Sequence, residues 1–321
     1  MKPIEIAGVP IILVRGKDNR IRAFQNVCRH RGMQLVTEPC KKSTLTCPYH
    51  KWAYGLDGKL RARPHFNGPN LHDVIKNGET DIALLEVRLE EFYGCLFVNI
   101  SGTADPLSVW MKPIVDELSA FDLSAIRWAG KLEFDVESNW KLIYENYMES
   151  YHVFAIHPRL LKFAPMDIRG AGEWRGNTFT NGYRFPEFEE GRGAELPHYP
   201  GLSNENVMRG VWFLTMPHFA VEVFPDQFAV LVSYPIAPDK TKEELHIFLI
   251  GDEAATGERY AQARADVFKM WDDLNWEDIS ILKGMQDGRR CPGYQGGLLS
   301  PFWEEITLSY AQKIIEMIIE K

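Results

Sequence analysis

At 321 residues the chain is long enough for two domains that each bury a core of their own. Hydrophobic residues at 45% and charged residues at 25% match an ordinary globular protein, and no stretch approaches the roughly 20 consecutive apolar residues of a membrane span. The net charge of −8 is unevenly spread: residues 11–63 hold twelve Lys/Arg against three Asp/Glu, so this stretch carries +9 and the remainder −17. With no nucleic-acid recognition module beside it, that basic stretch reads either as a solvated β surface or as a docking face for an acidic electron donor.

The N-terminal MKPIEIAGVPIILVRG has an apolar patch too short and too β-branched for a signal peptide, and reads as a strand. Pro10–Arg15 and Ile21–Asn26 alternate or run apolar around the turn residues Lys17-Asp18-Asn19. Thr44–Thr46 and Trp52–Tyr54 are short strands, with Leu56-Asp57-Gly58-Lys59 turning after the second. Leu85–Leu89 pairs with Cys95–Ile100 across Phe92-Tyr93-Gly94. These elements make a small antiparallel β domain.

Two loops of that domain carry metal-ligating residues. Cys28-Arg29-His30 is followed, after sixteen residues, by Cys47-Pro48-Tyr49-His50. Iron–sulfur centres commonly use four cysteines, and Rieske [2Fe–2S] centres exchange two of them for histidines on one iron. A structural zinc site is the alternative, but a Cys2His2 finger places both cysteines first. The other cysteines, Cys40, Cys95 and Cys291, are far apart, which fits a reducing cytoplasm better than a disulfide framework.

Farther along, Pro106 to Phe121 reads as a helical connector and Arg127–Val136 as a strand. Ser138 or Asn139 caps the next helix, which carries Glu145, Asn146, Glu149, His152 and His157-Pro158. Glu149 and His152 share a helix face. Five residues separate the two histidines, about 500° of rotation, so they meet on one metal only where the helix breaks. Pro158 disfavours helical geometry at His157 and supplies that break. Two histidines and a carboxylate form the facial triad of non-haem Fe(II) enzymes, although such a pair near a helix end also occurs for structural reasons. Arg169 to Gly210 is polar and glycine-rich and reads as long loops. Val211–Met216, Phe219–Phe224, Ala229–Ile236 and Glu244–Ile250 follow as strands, with Pro238-Asp239-Lys240 as a turn, then helices at Ala261–Trp276 and Glu304–Glu320.

Asn26-Val27-Cys28-Arg29-His30-Arg31-Gly32 and Cys47-Pro48-Tyr49-His50-Lys51-Trp52 resemble the Rieske domain of ring-hydroxylating oxygenases, and Asn139 to Pro158 resembles their catalytic helix. The resemblance runs from Ile11 to the C-terminus and implies an α+β chain. An all-β Rieske [2Fe–2S] domain at 1–104 would precede a helix-grip catalytic domain with an antiparallel sheet at 105–321. It implies that Cys28 and Cys47 bind one cluster iron and His30 and His50 the other. It further implies that His152 and His157 bind a mononuclear Fe(II), with Glu149 bridging toward His50 of a neighbouring subunit and Asn146 nearby. The family's third ligand is a late aspartate on a Glu-Asp-x-x-Ile helix with Gln eight residues on, which selects Asp278 through Glu277, Ile281 and Gln286; Asp272, Asp273 and Glu277 compete.

Three positions depart from related patterns. Lys51 stands where the family has Gly. Met33 and Tyr49 stand where respiratory Rieske proteins place a disulfide. The chain also starts almost at its first strand, whereas the family carries a few dozen residues before it. The implied activity is that of a terminal oxygenase using O2 and NAD(P)H-derived electrons from a reductase, with or without a ferredoxin. It would hydroxylate, dihydroxylate or demethylate a small substrate; a non-catalytic Rieske electron carrier is the alternative. A homotrimer is expected, and the sequence leaves a small β subunit open. Glu149 and the run Ala220–Asp226 look more like quaternary-ammonium oxygenases than ring dihydroxylases, and Tyr147, Tyr151, Phe154, Trp174 and Trp212 are candidates to cage a cation. Aromatic acids remain an equal expectation.

Overall fold

The computed structural model describes residues 1–75, 81–185 and 195–319. Two compact units emerge, Met1–Leu107 and Ser108–Lys321. The first holds β1 (Lys2–Ile6), β2 (Val9–Arg15), β3 (Ile21–Gln25), β4 (Leu45–Thr46), β5 (Ala53–Tyr54), β6 (Leu60–Arg63), β7 (Asp73–Val74), β8 (Glu86–Phe92) and β9 (Cys95–Asn99). They form a five-stranded sheet, β1-β2-β3-β8-β9, and a four-stranded sheet, β4-β5-β6-β7, antiparallel throughout.

The N-terminal segment expected as one strand is a hairpin. Ala7 and Gly8 take φ of +51° and +75°, so the chain reverses and Ile4 pairs with Ile11. The apolar run hid this turn because only the glycine marks it. Gly58, in the expected turn before β6, has φ +80°, and a Cβ there would sit 2.6 Å from the ring of Phe24. Ile12, Phe24, Leu45, Trp52, Tyr54 and Leu60 pack with Cys28 and Cys47 into one core.

The second unit is built on a seven-stranded antiparallel sheet. Its strands are β10 (Ile126–Val136), β11 (Glu173–Arg175), β12 (Thr178–Arg184), β13 (Arg209–Thr215), β14 (Phe219–Phe224), β15 (Gln227–Ala237) and β16 (Lys240–Ile250), in the order β10-β16-β15-β14-β13-β12-β11. The expected connector helix is two short ones, α1 (Leu107–Trp110) and α2 (Lys112–Glu117), because Pro113 belongs at a helix start. Then come α3 (Trp140–Met148), α4 (Val153–Ile156), α5 (Pro158–Phe163), α6 (Asp252–Thr256), α7 (Ala261–Gly288) and α8 (Glu305–Ile319).

Two further expectations are corrected. The stretch from Arg169 to Gly210, read as loops, contains β11 and β12; Thr178–Arg184 pairs along its full length with β13, and polar Thr180, Asn181 and Gly182 had masked the alternation. Residues 186–194 of that stretch lie outside the described ones. The helix expected to stop at Trp276 runs on to Gly288 as a single α7.

One face of the sheet presents Phe179, Leu214, Ala220, Phe224, Leu231 and Leu245 to the buried sides of α3 and α7, with Leu142, Tyr144, Val267, Met270 and Trp271 opposite. Fully burying each large apolar side chain contributes about 1.5–3 kcal/mol, so this layer holds the helices to the sheet. Among the described residues no helix is long and apolar enough to cross a membrane.

Candidate metal centres and cavity

The two ligand loops of the first unit repeat one backbone pattern. Cys28 N donates to Met33 O at 2.8 Å and Cys28 O accepts from Gly32 N at 3.1 Å. Cys47 N donates to Trp52 O at 2.8 Å and Cys47 O accepts from Lys51 N at 3.1 Å. Each loop needs a left-handed residue four after its cysteine, and Gly32 (φ +74°) and Lys51 (φ +58°) fill those places. The cysteines are buried, and the rings of His30 and His50 meet at 4.7 Å. Trp52 stacks on His30 at 4.8 Å and fixes its plane.

Tyr54 completes this centre, and sequence reading missed it. Its hydroxyl accepts from Arg29 N at 3.0 Å, which leaves its own hydrogen for Cys28 Sγ at 3.3 Å. Burial, with the Cys28 contact, pushes the phenol above its usual range and keeps it a donor. His50 Nδ1 is buried without a hydrogen-bond partner among the described residues. An orphaned imidazole nitrogen costs free energy in a folded protein unless its lone pair has a use. Two buried sulfurs, two facing imidazoles and that orphaned nitrogen fit a histidine-ligated [2Fe–2S] cluster.

In the second unit, α3 begins with Asn139 Oδ1 accepting from Lys141 N at 3.0 Å, and ends at Met148. Glu149 already has extended backbone, so it does not share a helix face with His152 as expected. Its carboxylate joins them instead: Oε2 accepts from Tyr151 N and from His152 N at 3.2 Å, and Oε1 meets His152 Nδ1 at 2.5 Å. These bonds replace the carbonyl bonds of a continuous helix. Five residues after His152, α4 ends at His157 (φ −113°, ψ 72°), with Pro158 opening α5. This is the break expected from Pro158.

From α7 comes the third side chain. Ala263, Val267, Met270, Leu274 and Leu282 form its inward apolar stripe, and Asp278 occupies the step between the last two. Asp278 Oδ1 lies 3.0 Å from His157 Nε2 and 3.5 Å from His152 Nε2, and accepts from Asn146 Nδ2 at 2.8 Å. One ligand atom from each of His152, His157 and Asp278 falls within 4.8 Å of the others. Glu277, its neighbour, faces elsewhere and meets His157 Nδ1 at 2.7 Å. Because ionised carboxylates only accept, Glu149 and Glu277 each take a hydrogen from an Nδ1, which leaves the two Nε2 atoms, facing Asp278, as the ones a metal would take. That donor set fits a two-histidine, one-carboxylate iron.

A cavity of about 140 Å³ opens beside these three residues. Its lining includes Arg169, Asn181, Tyr183, Trp212, Glu222 and Glu243. Glu222 and Glu243 are 6% and 2% exposed, carboxyl groups set into the inner face of the sheet. Burial pushes Glu243 up to about 7; the Ser233 hydroxyl, donating at 2.8 Å, pulls it back, and the charge of Asp278 adds to the push. Trp212 stacks on Tyr183 at 4.7 Å and meets Phe224 edge-on at 5.2 Å. Of the five aromatic candidates, Tyr147 and Trp212 line the cavity. Tyr151 and Phe154 are exposed, and Trp174 bonds the carbonyl of Ile306 on α8. Glu243 and Arg169 escaped the sequence reading, and Glu222 entered it only as part of the run Ala220–Asp226. A single Glu in FAVEVF, a strand buried at every position, was the one available signal.

Residues 1–82 match the family model of the Rieske [2Fe-2S] domain, and residues 123–320 match that of the ring hydroxylating alpha subunit catalytic domain. The chain belongs to the ring-hydroxylating oxygenase alpha-subunit family. It is 30% identical over 306 residues to the carnitine monooxygenase oxygenase subunit of Escherichia coli K12, covering 91% of this chain and 74% of that one. It is 24% identical over 335 residues to the glycine betaine monooxygenase oxygenase subunit of Pseudomonas aeruginosa UCBPP-PA14, covering 94% and 76%. A solved quaternary ammonium Rieske monooxygenase shares the fold at TM-score 0.76 and 22% identity, over 98% of this chain and 84% of that one.

Membership in the ring-hydroxylating oxygenase family makes this a Rieske-type oxygenase subunit. It takes a Rieske [2Fe–2S] cluster in the first unit and a mononuclear iron in the second. The structural-zinc and electron-carrier alternatives are set aside, the latter because a carrier has no use for the catalytic domain.

Proposed function

We propose that this protein is the terminal oxygenase subunit of a system that oxidises a small quaternary-ammonium compound, removing a substituent from its nitrogen. The observation that carries this reading is the pairing of Glu222 and Glu243 with Trp212 and Phe224 in the cavity beside His152, His157 and Asp278. Buried carboxylates and aromatic faces stabilise a permanent cation that cannot donate hydrogen bonds. A permanent cation bound there would also answer the negative charge that these carboxyl groups place inside the cavity. The names of the carnitine and glycine betaine monooxygenase relatives support the same class.

In this reading Cys28 and Cys47 hold one cluster iron, His30 and His50 the other, and His152, His157 and Asp278 the mononuclear iron. When bound, that iron activates dioxygen with electrons relayed from the cluster. Asn146 is a positioning residue that holds the Asp278 carboxylate. Glu149, fixed by Tyr151 N and His152 N, keeps the His152 ring in place and presents a carboxylate edge to an incoming imidazole. A homotrimer in which His50 of one subunit approaches Glu149 of the next provides that imidazole; inter-subunit electron transfer in a quaternary ammonium Rieske monooxygenase supports it. The basic stretch at residues 11–63 docks the acidic reductase or ferredoxin. No disulfide joins any of the cysteines among the described residues, in keeping with the reducing, cytoplasmic setting of this reading.

The test is NADH-driven oxygen uptake with a surrogate reductase across trimethylammonium compounds and aromatic acids. We expect coupled product only with the former. Coupled hydroxylation of aromatic acids, with no product from any trimethylammonium compound, overturns the reading.

A further inference from the structure

Arg169 is 8% exposed and lines the same cavity as the three metal-facing residues. Its Nε donates to Ala164 O at 2.8 Å, and its guanidinium lies 4.8 Å from the ring centre of Tyr183. The Tyr183 side chain supports the cation, but Nη2 is buried with no hydrogen-bond partner among the described residues, and no ion pair among them joins Arg169 to a carboxylate. Burial lowers its pKa, yet a guanidinium keeps its charge at neutral pH. An arginine buried in this state is destabilising when no anion answers its charge. Holding one carbonyl and stacking on one ring do not require a fork of five donors. A carboxylate bound in the cavity does, because the planar fork matches its two oxygens.

Tyr183 links the guanidinium to the cation-binding side, since its ring also stacks on Trp212, the cross-strand neighbour of Glu222. Two stacked rings, Tyr183 and Trp212, thus lie between a buried guanidinium with no carboxylate partner among the described residues and a buried carboxylate. Those fixed charges complement a ligand with an anion at one end and a cation at the other.

We infer that Arg169 binds the carboxylate of a zwitterionic substrate, a quaternary-ammonium alkanoate whose cationic end lies against Trp212, Phe224 and Glu222. This rests on the cation reading proposed above and adds the second charge. It makes Arg169 the residue that separates betaine-like acids from cations that end in an alcohol or ester. Losing the group a buried donor was built to bind costs more than losing an apolar contact, so the discrimination is steep.

The experiment is calorimetric binding to oxidised, anaerobic holoenzyme with three probes: a trimethylammonium butanoate, its methyl ester, and the carboxylate in which carbon replaces the nitrogen. Wild type is expected to bind the acid at least tenfold tighter than the ester. Arg169→Met brings that ratio close to one with ester affinity within twofold of wild type, and Arg169→Lys restores part of the preference. The cluster absorption of Arg169→Met matches wild type, and its melting temperature is no lower, because an unanswered buried charge has been removed. No preference in wild type, or a preference intact in Arg169→Met, overturns the assignment. So does a lower melting temperature with an unchanged ratio, which marks Arg169 as structural. If the carbon analogue binds wild type as tightly as the acid and loses that affinity in Arg169→Met, the cation reading fails while the carboxylate site stands.

Discussion

Glu277 and Asp278 are adjacent carboxylates with separate partners, and one helical step divides them. Asp278 faces both Nε2 atoms, while Glu277 takes His157 Nδ1 at 2.7 Å. A carboxylate behind a metal-binding histidine fixes its tautomer and raises its basicity, and losing it typically lowers metal affinity about 10–100-fold. Glu277→Ala is therefore expected to weaken iron binding at the mononuclear site by that factor, measured by competition with a chelator, while the cluster absorption stays unchanged. A variant that holds iron as tightly as wild type contradicts the role. The same pair shows what sequence could give at this scale. Cys28, His30, Cys47 and His50 were legible because their residue types carry the chemistry. Glu277 and Asp278 were competitors because a rotation of 100° per residue, not composition, decides between them. Lys51 was visible as a departure but not its backbone, φ +58°. Lys51→Gly removes a left-handed penalty of roughly 1 kcal/mol, so the first unit should melt slightly higher, read by calorimetry.

The second centre depends on where helices stop. Met148 ends α3, Glu149 turns the chain, and His157 sits at the junction of α4 and α5, so two histidines five apart converge. Pro158 announced the second break in the sequence; the first lies in Glu149 accepting from backbone N–H groups, which no spacing rule reveals. The α3 and α7 helices must also stay in register for Asn146 to reach Asp278. Gln286 on α7 accepts from Asn139 N at 2.9 Å, at the first turn of α3, and ties the two together. Gln286→Ala leaves that N–H unanswered, at a cost of about 1–2 kcal/mol. The expected result is a melting temperature for the second unit lower by a few degrees, with reduced iron loading in parallel. Lower stability with full iron loading shows that the tie serves stability alone. The sheet was legible from β13 to β16, where apolar residues alternate or run unbroken. The N-terminal hairpin and β12 were not, since a non-glycine left-handed turn at Ala7 and a polar run at Thr180–Gly182 imitate other structures.

At the scale of the molecule, the chain divides its chemistry between Met1–Leu107 and Ser108–Lys321, each with its own core and its own set of metal-facing side chains. The α+β class and both centres could be read from sequence because the ligand motifs are short and local. The cavity could not: Glu222, Glu243 and Arg169 come together only through strand register and a turn after α5. If the two centres are independent, each set of ligands should control its own metal and no other. Iron and acid-labile sulfide analysis of reconstituted protein tests this most directly. Three irons and two sulfides per chain are expected for wild type, and two irons with two sulfides for Asp278→Ala. A wild-type chain that takes up only two irons with its two sulfides, or an Asp278→Ala variant that still holds three, contradicts that expectation.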